Sequence, residues 1–190
     1  MLWSILIPTI PERADLLSKL VAELEHQIGT KPVEVLTFLD NKKRSIGRKR
    51  NSLIKSAKGK YISFVDDDDW VSSNYVSRII EAIENNHEDV ISFTEIREGS
   101  GIERMMTVHS LDAGDGSMTV AEPYYGERSY WTGLPSHLCV WRRSLAKKVK
   151  FENKSWGEDF GWMKKMADIA KTHFVIEEHL YTYRMGYRVK

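Results

Sequence analysis

Three features that would decide the class of this protein at once are scarce in its sequence. Among 190 residues there is one cysteine, Cys139, so an internal disulfide is excluded and a reducing compartment is indicated. No apolar stretch approaches the ~20 residues that a membrane-spanning helix needs. The formal net charge is only +1, so the charge of the whole chain favours no class of partner.

What the chain does have is an ordinary globular composition, with 42% apolar and 29% charged residues. Its length favours one domain, which we expect to span residues 1–190. The apolar start, residues 1–10, lacks the basic residues of a signal peptide and runs into Pro11-Glu12-Arg13 without a cleavage site. We therefore expect a soluble, cytoplasmic protein.

In the first half, short apolar runs alternate with amphipathic segments. The runs predict strands at residues 2–7, 33–39, 60–65 and 89–94. The segments between them predict helices at residues 14–27, at residues 47–58, and from Ser72 or Ser73 to about residue 85. This alternation predicts an α/β fold with a parallel sheet, in which residues 1–95 form a nucleotide-binding half.

The pattern changes after about residue 95. Residues 98–101 are typical of a turn between two antiparallel strands, and residues 111–117 of a polar loop. A helix is predicted from residue 158 to 171, and two short strands from His173 onward. We expect this mixed half, residues 96–190, to complete a site that begins in the first half.

Four consecutive aspartates, Asp66 to Asp69, directly follow the third predicted strand. Ligands of parallel α/β sheets bind outside the carboxyl ends of the strands, which is where this run lies. Adjacent carboxylates repel one another unless a cation is present, and their oxygens suit Mg²⁺ or Mn²⁺ shared with substrate phosphates. The alternative is a solvated turn in which one aspartate caps the next helix. The apolar strand before the run and Trp70 after it favour the cation site.

The succession of short motifs along the chain resembles glycosyltransferase family two, inverting enzymes of the GT-A fold, and in particular its small soluble bacterial, phage or viral members. The segments that carry the resemblance are SILIPTIPER, VEVLTFLDN, SIGRKRNSLIKSAKGKYISFVDDDDW, SWGEDFGWMKKM and LYTYRM. The resemblance implies a mostly parallel, Rossmann-like sheet flanked by helices, with a small antiparallel region in the second half. It also implies a nucleotide-diphosphate sugar as the donor, with UDP as the expected nucleotide.

The resemblance assigns roles to individual residues. Asp66 and Asp68 are expected to bind Mn²⁺ or Mg²⁺, although the additional Asp67 and Asp69 leave the choice of ligands open. The donor-binding residues that it implies are Pro8, Thr9, Asp40, Arg48, Arg50, Asp66, Asp67 and Arg184. In one departure from the family pattern, the second strand ends in Leu39-Asp40-Asn41 and not in paired acids.

Asp159 is the expected catalytic base, with neighbouring Glu158 as the second candidate. A positioned carboxylate can take the proton of an acceptor hydroxyl as it attacks. The alternative is that both acids only start a helix, where the macrodipole favours negative charge. Trp156 and His137 are expected on the acceptor side, against the alternative that each belongs to the core.

The predicted function is sugar transfer to a hydroxyl of a glycan or another small acceptor. Acid-free basic stretches at residues 42–60 and 142–150 leave a second acceptor open, the hydroxymethylated bases of phage DNA. A nucleotidyltransferase would carry a glycine-rich phosphate loop near the first strand, and PTIPERAD has no glycine. A non-catalytic nucleotide-sugar-binding domain is the remaining alternative, and the presence of Asp66, Asp68 and Asp159 argues against it.

Overall fold

The structure is a computed structural model that describes residues 1–99, 102–113, 119–121 and 130–185. Residues 100 and 101 of the predicted turn, and residues 114–117 of the predicted polar loop, lie outside the described residues. Within the described ranges, no helix combines the length and the apolar character that crossing a membrane requires.

The described residues form ten strands, five α-helices and one short 3₁₀ turn, Pro11–Arg13. The strands are β1 Trp3–Thr9, β2 Val33–Leu39, β3 Tyr61–Phe64, β4 Trp70–Val71, β5 Val90–Gly99, β6 Ile102–His109, β7 Thr119–Ala121, β8 Tyr130–Gly133, β9 Val140–Arg142 and β10 His173–Met185. The helices are α1 Ala14–Ile28, α2 Ile46–Ser56, α3 Tyr75–Asn86, α4 Arg143–Ala146 and α5 Glu158–Ile169.

The strands make one mixed sheet in the order β2-β1-β3-β9-β5-β6-β8-β7. β1 is parallel to both β2 and β3, and β10 runs parallel to β5 and antiparallel to β4. This confirms the predicted fold class, including an antiparallel pair, β5 and β6, in the second half. The sequence did not predict that β9 would lie between β3 and β5, antiparallel to both.

The C-terminal segment differs from its prediction. The two short strands expected after His173 are one strand, β10, and that prediction was wrong. Irregularities in its pairing with β5 fall at His179, where polar residues interrupt the apolar pattern. Such irregularities let a strand continue through a local break in its register.

Helices cover both faces of the sheet, and two cores result. Trp3, Ile5 and Ile7 of β1 face a core that also contains residues of α1 and α3, whereas Leu6 faces a core with residues of α2 and α5. Successive side chains of a strand point to opposite faces, so β1 supplies both cores. With both faces covered, the carboxyl edge of the parallel strands is the place open to a ligand.

Candidate active site

A cavity of about 860 Å³ lies at the carboxyl ends of β1 and β3. It is lined by most of the residues that the sequence nominated, namely Pro8, Thr9, Arg50, Asp66, Asp67, Asp68, Trp156, Glu158, Asp159 and Arg184. Residues from both halves of the chain therefore meet at one place. Three nominated residues, Asp40, Arg48 and His137, do not line it.

The four aspartates alternate in their exposure. Asp67 and Asp69 are buried, at 2% and 3% exposure, whereas the side chains of Asp66 and Asp68 are 24% and 20% exposed. The four aspartates form a turn, which the backbone N–H of Asp69 closes by donating to the carbonyl of Asp66. The pair that is open to the cavity is therefore Asp66 and Asp68.

The two buried aspartates hold the edge of the sheet together. The hydroxyl of Thr9 donates to Asp67 over 2.6 Å and so links the end of β1 to the segment after β3. Asp69 accepts from the hydroxyl of Tyr181 at 2.6 Å and from the backbone N–H of Arg184 at 2.8 Å, which links it to β10. Asp67 reaches the cavity wall, but both of its oxygens are already bonded.

The pKa values of these carboxyl groups are driven in opposite directions. Burial by itself would raise the pKa of Asp66, but the positive charge of Arg50 and the neighbouring His137 outweigh it and hold that pKa below its usual range. Burial raises the pKa of Asp68 to about 6, and the charge on Asp66 adds to the rise. Burial and Asp66 also raise the pKa of Asp69. Burial is thus the main cause of the two raised pKa values, and repulsion between the carboxylates adds to it.

Arg50 of α2 is a buried cation of the site, with 4% exposure. Its guanidinium lies 3.1 Å from Asp66 and 3.2 Å from Glu158, so it joins the end of β3 to the start of α5. It also lies over the rings of Phe64 and Phe151, at 5.1 and 5.7 Å from their centroids. Salt bridges and ring contacts together fix its position.

The packing of α2 delivers Arg50 to this place. A Cβ at Gly47 would come within 1.9 Å of the carbonyl oxygen of Glu152, so only glycine allows this approach of α2 to the segment before α5. The side-chain amide of Asn51 donates to the carbonyl of Phe151 and accepts from its N–H. These contacts bring the two acids at the start of α5 to the cavity.

The two candidate bases differ in their surroundings. Glu158 is buried, at 4% exposure, and is paired with Arg50. Burial raises its pKa. The side chain of Asp159 is 44% exposed, and one of its oxygens accepts from the N–H of Phe160 at 2.9 Å. Asp159 is therefore accessible to an acceptor, whereas Glu158 is held within the protein.

His137 lies behind the cavity wall, with 6% exposure. Its Nε2 is 3.7 Å from Asp66, and its Nδ1 is 3.7 Å from Asp159. Both distances are too long for hydrogen bonds. The structure thus places His137 between the two carboxylates, not in direct reach of an acceptor in the cavity.

Two large aromatic side chains of the cavity wall are open to solvent. Trp156 is 90% exposed and Phe160 is 52% exposed, and both line the cavity beside Asp159. The alternative of core packing for Trp156 is excluded by this exposure. Between Trp156 and α5, Gly157 adopts a left-handed conformation with φ of 66°, which favours glycine.

Arg48 and Asp40, two of the expected donor-binding residues, do not line the cavity. Arg48 is exposed on α2 and lies outside the cavity, because a 100° step per residue turns it away from Arg50. Lys49 is buried instead and lines the cavity. Its ammonium group donates to the carbonyl of Thr9 at 2.9 Å and lies 2.7 Å from Asp40. Asp40 thus fixes Lys49 across the end of β1.

Sequence reasoning missed Arg13, Lys49 and Tyr183. Arg13 lies 2.7 Å from Asp67 and 2.8 Å from Asp68. Tyr183 also lines the cavity, and the guanidinium of Arg97 lies 5.6 Å from the centroid of its ring. The position of Arg13 just after the first strand was the available signal, because that strand ends at the same edge as the aspartates.

The described residues contain no group of three or more His, Cys, Asp or Glu side chains arranged to hold a metal ion. Mg²⁺ is commonly held by one or two carboxylates together with substrate phosphates and water. Asp66 and Asp68 supply such a partial set of hard oxygen ligands, open to the cavity. Burial raises the pKa of Asp68 and the charge of Asp66 adds to the rise, and a bound cation would relieve both effects. The residues therefore fit a cation that is shared with a bound phosphate.

The chain is similar in sequence to known glycosyltransferases. It is 21% identical over 175 residues to glycosyltransferase GlyA of Streptococcus pneumoniae, an alignment that covers 86% of this chain and 23% of that protein. A shorter match to the uncharacterized glycosyltransferase EpsJ of Bacillus subtilis is 50% identical over 42 residues, or 22% of this chain and 12% of that protein. The chain thus spans only part of the length of these relatives.

The fold is also found in solved structures of S. aureus TarS. A crystal structure of its residues 1–349 in complex with UDP-GlcNAc matches with a TM-score of 0.67 and 17% identity, covering 97% of this chain and 58% of that one. The complex with UDP matches with a TM-score of 0.66 and 17% identity, covering 97% and 61%. At this identity the likeness shows the fold.

The sequence itself shows the family. Residues 35–153, more than half of the chain, match the sequence model of the family described as "Glycosyl transferase family 2". This region contains the helix that carries Arg50 and the four aspartates. The chain therefore belongs to glycosyltransferase family 2.

Proposed function

We propose that the protein transfers a sugar from a UDP-sugar to an acceptor hydroxyl, with inversion at the anomeric carbon and with the help of a divalent cation. One observation carries the proposal. A single cavity contains an open pair of carboxylates, Asp66 and Asp68, and an accessible third carboxylate, Asp159, on another element. The fold that the chain shares with TarS, crystallised with UDP-GlcNAc and with UDP, supports the choice of donor.

The donor would occupy the side of the cavity formed by residues from the first half of the chain. Thr9, Lys49 and the open aspartates line that side. Asp66 and Asp68 would hold Mn²⁺ or Mg²⁺, which supplies neutralisation of the diphosphate charge as the leaving group departs. Arg184 lines the same cavity and would add positive charge near the phosphates.

Asp159 would act as the general base. As the acceptor oxygen attacks the anomeric carbon, its proton passes to the Asp159 carboxylate, and the bond from the anomeric carbon to the diphosphate breaks. The bonding electrons leave with the nucleoside diphosphate, so one displacement inverts the anomeric configuration. Asp159 is suited to this role because its side chain is 44% exposed, whereas Glu158 is paired with buried Arg50.

The acceptor would bind against the wall that bears Trp156 and Phe160. Exposed aromatic rings beside a reacting group are suited to contact the apolar face of a sugar ring. The exposed carboxylate of Asp159 lines the same cavity and would repel a phosphodiester chain there. A glycan or another small neutral acceptor is therefore preferred to phage DNA with hydroxymethylated bases.

The two halves of the single domain, residues 1–190, would bind different substrates. Residues 1–95 would bind the nucleotide sugar, and residues 96–190 would supply the base and the acceptor surface. The single cysteine, which is buried, is compatible with a cytoplasmic site of action.

The test is a screen for released UDP. The purified chain is incubated with a panel of UDP-sugars and Mn²⁺, with neutral oligosaccharides or hydroxymethylated DNA as acceptors. We expect slow hydrolysis of one donor without acceptor and faster release with an oligosaccharide, both abolished by Asp68→Ala. Asp168→Ala, a change at an exposed acid of α5, is the control and should leave the rate unchanged. Failure of every nucleotide sugar to bind would overturn the proposal, and activity only on DNA would reassign the acceptor.

A further inference from the structure

Arg13 bridges two of the four aspartates. One guanidinium nitrogen lies 2.7 Å from Asp67 and the other 2.8 Å from Asp68. The Arg13 side chain is 31% exposed and lines the cavity. The cation that pairs with the open carboxylate of Asp68 is therefore supplied by the protein itself.

The local backbone brings Arg13 to this position. β1 ends at Thr9, and the 3₁₀ turn Pro11–Arg13 follows at once, closed by a hydrogen bond from the N–H of Arg13 to the carbonyl of Ile10. Proline at the start of the turn restricts its backbone. Arg13 is therefore held at the carboxyl edge of the sheet, next to the aspartates.

The two contacts of Arg13 differ in kind. Asp67 is buried and is also bonded by Thr9, so its contact with Arg13 is part of the framework. Asp68 is partly exposed and faces the cavity, where the proposed function places the divalent cation. A guanidinium and a divalent cation are both positive and seek the same carboxylate oxygens, so they compete for Asp68.

We propose that Arg13 is a built-in counter-ion of the cation site, which holds Asp68 in the free protein and releases it when the cation arrives with the donor. This inference rests on the proposed function. Competition with Arg13 weakens the binding of a cation alone. A cation that enters with a nucleoside diphosphate brings additional ligands, and the released guanidinium then faces a cavity that contains phosphate charge. Cation and donor therefore bind together more readily than the cation binds by itself.

The experiment measures Mn²⁺ affinity in the absence of nucleotide, by calorimetry and by the electron paramagnetic resonance of free Mn²⁺. Removing a charge-assisted competitor in Arg13→Gln should tighten Mn²⁺ binding about tenfold. Arg78→Gln is the matched control, because Arg78 is 35% exposed and also pairs with two acids, Glu81 and Glu178, away from the cavity. The Mn²⁺ affinity of Arg78→Gln should equal that of the wild type.

A second measurement tests the coupling. UDP should tighten Mn²⁺ binding by a larger factor in the wild type than in Arg13→Gln. Arg13→Lys covers the case in which Arg13→Gln does not fold. One ammonium group cannot span two carboxylates as a guanidinium does, so the Mn²⁺ affinity of Arg13→Lys should lie between those of the wild type and Arg13→Gln.

Mn²⁺ affinity that is unchanged or weaker in both Arg13 variants would overturn the inference, as would the absence of Mn²⁺ binding to every protein even with UDP present. An unchanged or weaker affinity in the variants leaves the proposed function standing, whereas the absence of Mn²⁺ binding also removes the divalent cation from it. Binding is measured without turnover, whereas the proposed function fails if the wild type uses no nucleotide sugar.

Discussion

The two walls of the cavity are built in contrasting ways. The acidic wall, residues 66–69 with Arg13 and Arg50, is tied by salt bridges and hydrogen bonds to β1, β10 and α5. The aromatic wall, residues 155–160, presents Trp156 at 90% exposure and Phe160 at 52%. Apart from the contact between Arg13 and Asp68, which the donor is proposed to break, the acidic wall is held in place before a ligand arrives. The aromatic wall offers open surface.

This contrast suits the two substrates of a transferase. A diphosphate donor has one chemistry, and charges that are positioned in advance stabilise its leaving group with little reorganisation. Acceptors differ between members of a fold, and variable recognition is carried by exposed segments on a rigid scaffold. Changes to the acidic wall should therefore affect stability and donor binding, whereas changes to the aromatic wall should affect transfer with little effect on stability.

The largest expected effect is on catalysis by Asp159. Asp159→Asn removes the general base and should lower the transfer rate by roughly 10²–10⁴-fold, with UDP affinity unchanged. Asp168→Asn, at an exposed acid of the same helix, is the control and should transfer at the wild-type rate. Initial rates of UDP release measure both, and a loss of less than tenfold in Asp159→Asn would remove this residue from its role.

The next effect is on stability and tests the acidic wall. Arg50→Met leaves Asp66 and Glu158 without their buried cation and should lower the free energy of unfolding by roughly 3–5 kcal/mol. Arg48→Met, two residues earlier and exposed, should change it by less than about 0.5 kcal/mol. Urea unfolding of both variants makes the comparison. Equal stabilities would show that the buried network does not hold this wall.

A smaller effect is expected from the pH dependence of stability in EDTA. The pKa of Asp68 is raised from 3.8 to about 6, so the folded protein binds this proton more tightly than the unfolded chain does. The stability that the bound proton confers is lost as the pH rises through this range. The free energy of unfolding of the wild type should therefore fall relative to Asp68→Asn from about pH 4 to about pH 6, and stay level above. A difference that is independent of pH would contradict the shift.

The smallest effect is on acceptor binding at the aromatic wall. Trp156→Ala should raise the KM for an oligosaccharide acceptor about threefold to tenfold, without a change in donor KM or in stability. Phe174→Ala, at an aromatic residue that is 37% exposed outside the cavity, is the control. A loss of stability in Trp156→Ala would mean that the ring packs within the protein.

Much of the scaffold could be predicted because its elements carry a local signal. The apolar runs of β1 to β3 and the amphipathic patterns of α1 to α3 lie close to their predicted bounds. β9 has three residues, too few to show a period, and its place between β3 and β5 depends on long-range pairing. The register irregularities of β10 likewise interrupt the pattern from which one long strand would be read.

The site was predictable where motifs mark a strand end or a helix start, as for Asp66 to Asp69 and Asp159. The pairing of charges was not, because it arises between segments distant in sequence. Arg13 meets Asp67 across 54 positions, and Lys49 meets the carbonyl of Thr9 across 40. In the basic stretch of α2, helix phase decides which side chains turn inward, and a neighbouring position, Arg48, is exposed.

The central claim is that Asp66 and Asp68 hold a cation that is shared with the donor diphosphate. Calorimetric titration of UDP into the wild type and into Asp68→Asn, with Mn²⁺ and with EDTA, tests it most directly. We predict Mn²⁺-dependent binding to the wild type that is lost both in EDTA and in Asp68→Asn. UDP affinity that is the same with Mn²⁺ and with EDTA, or that survives intact in Asp68→Asn, would contradict the account.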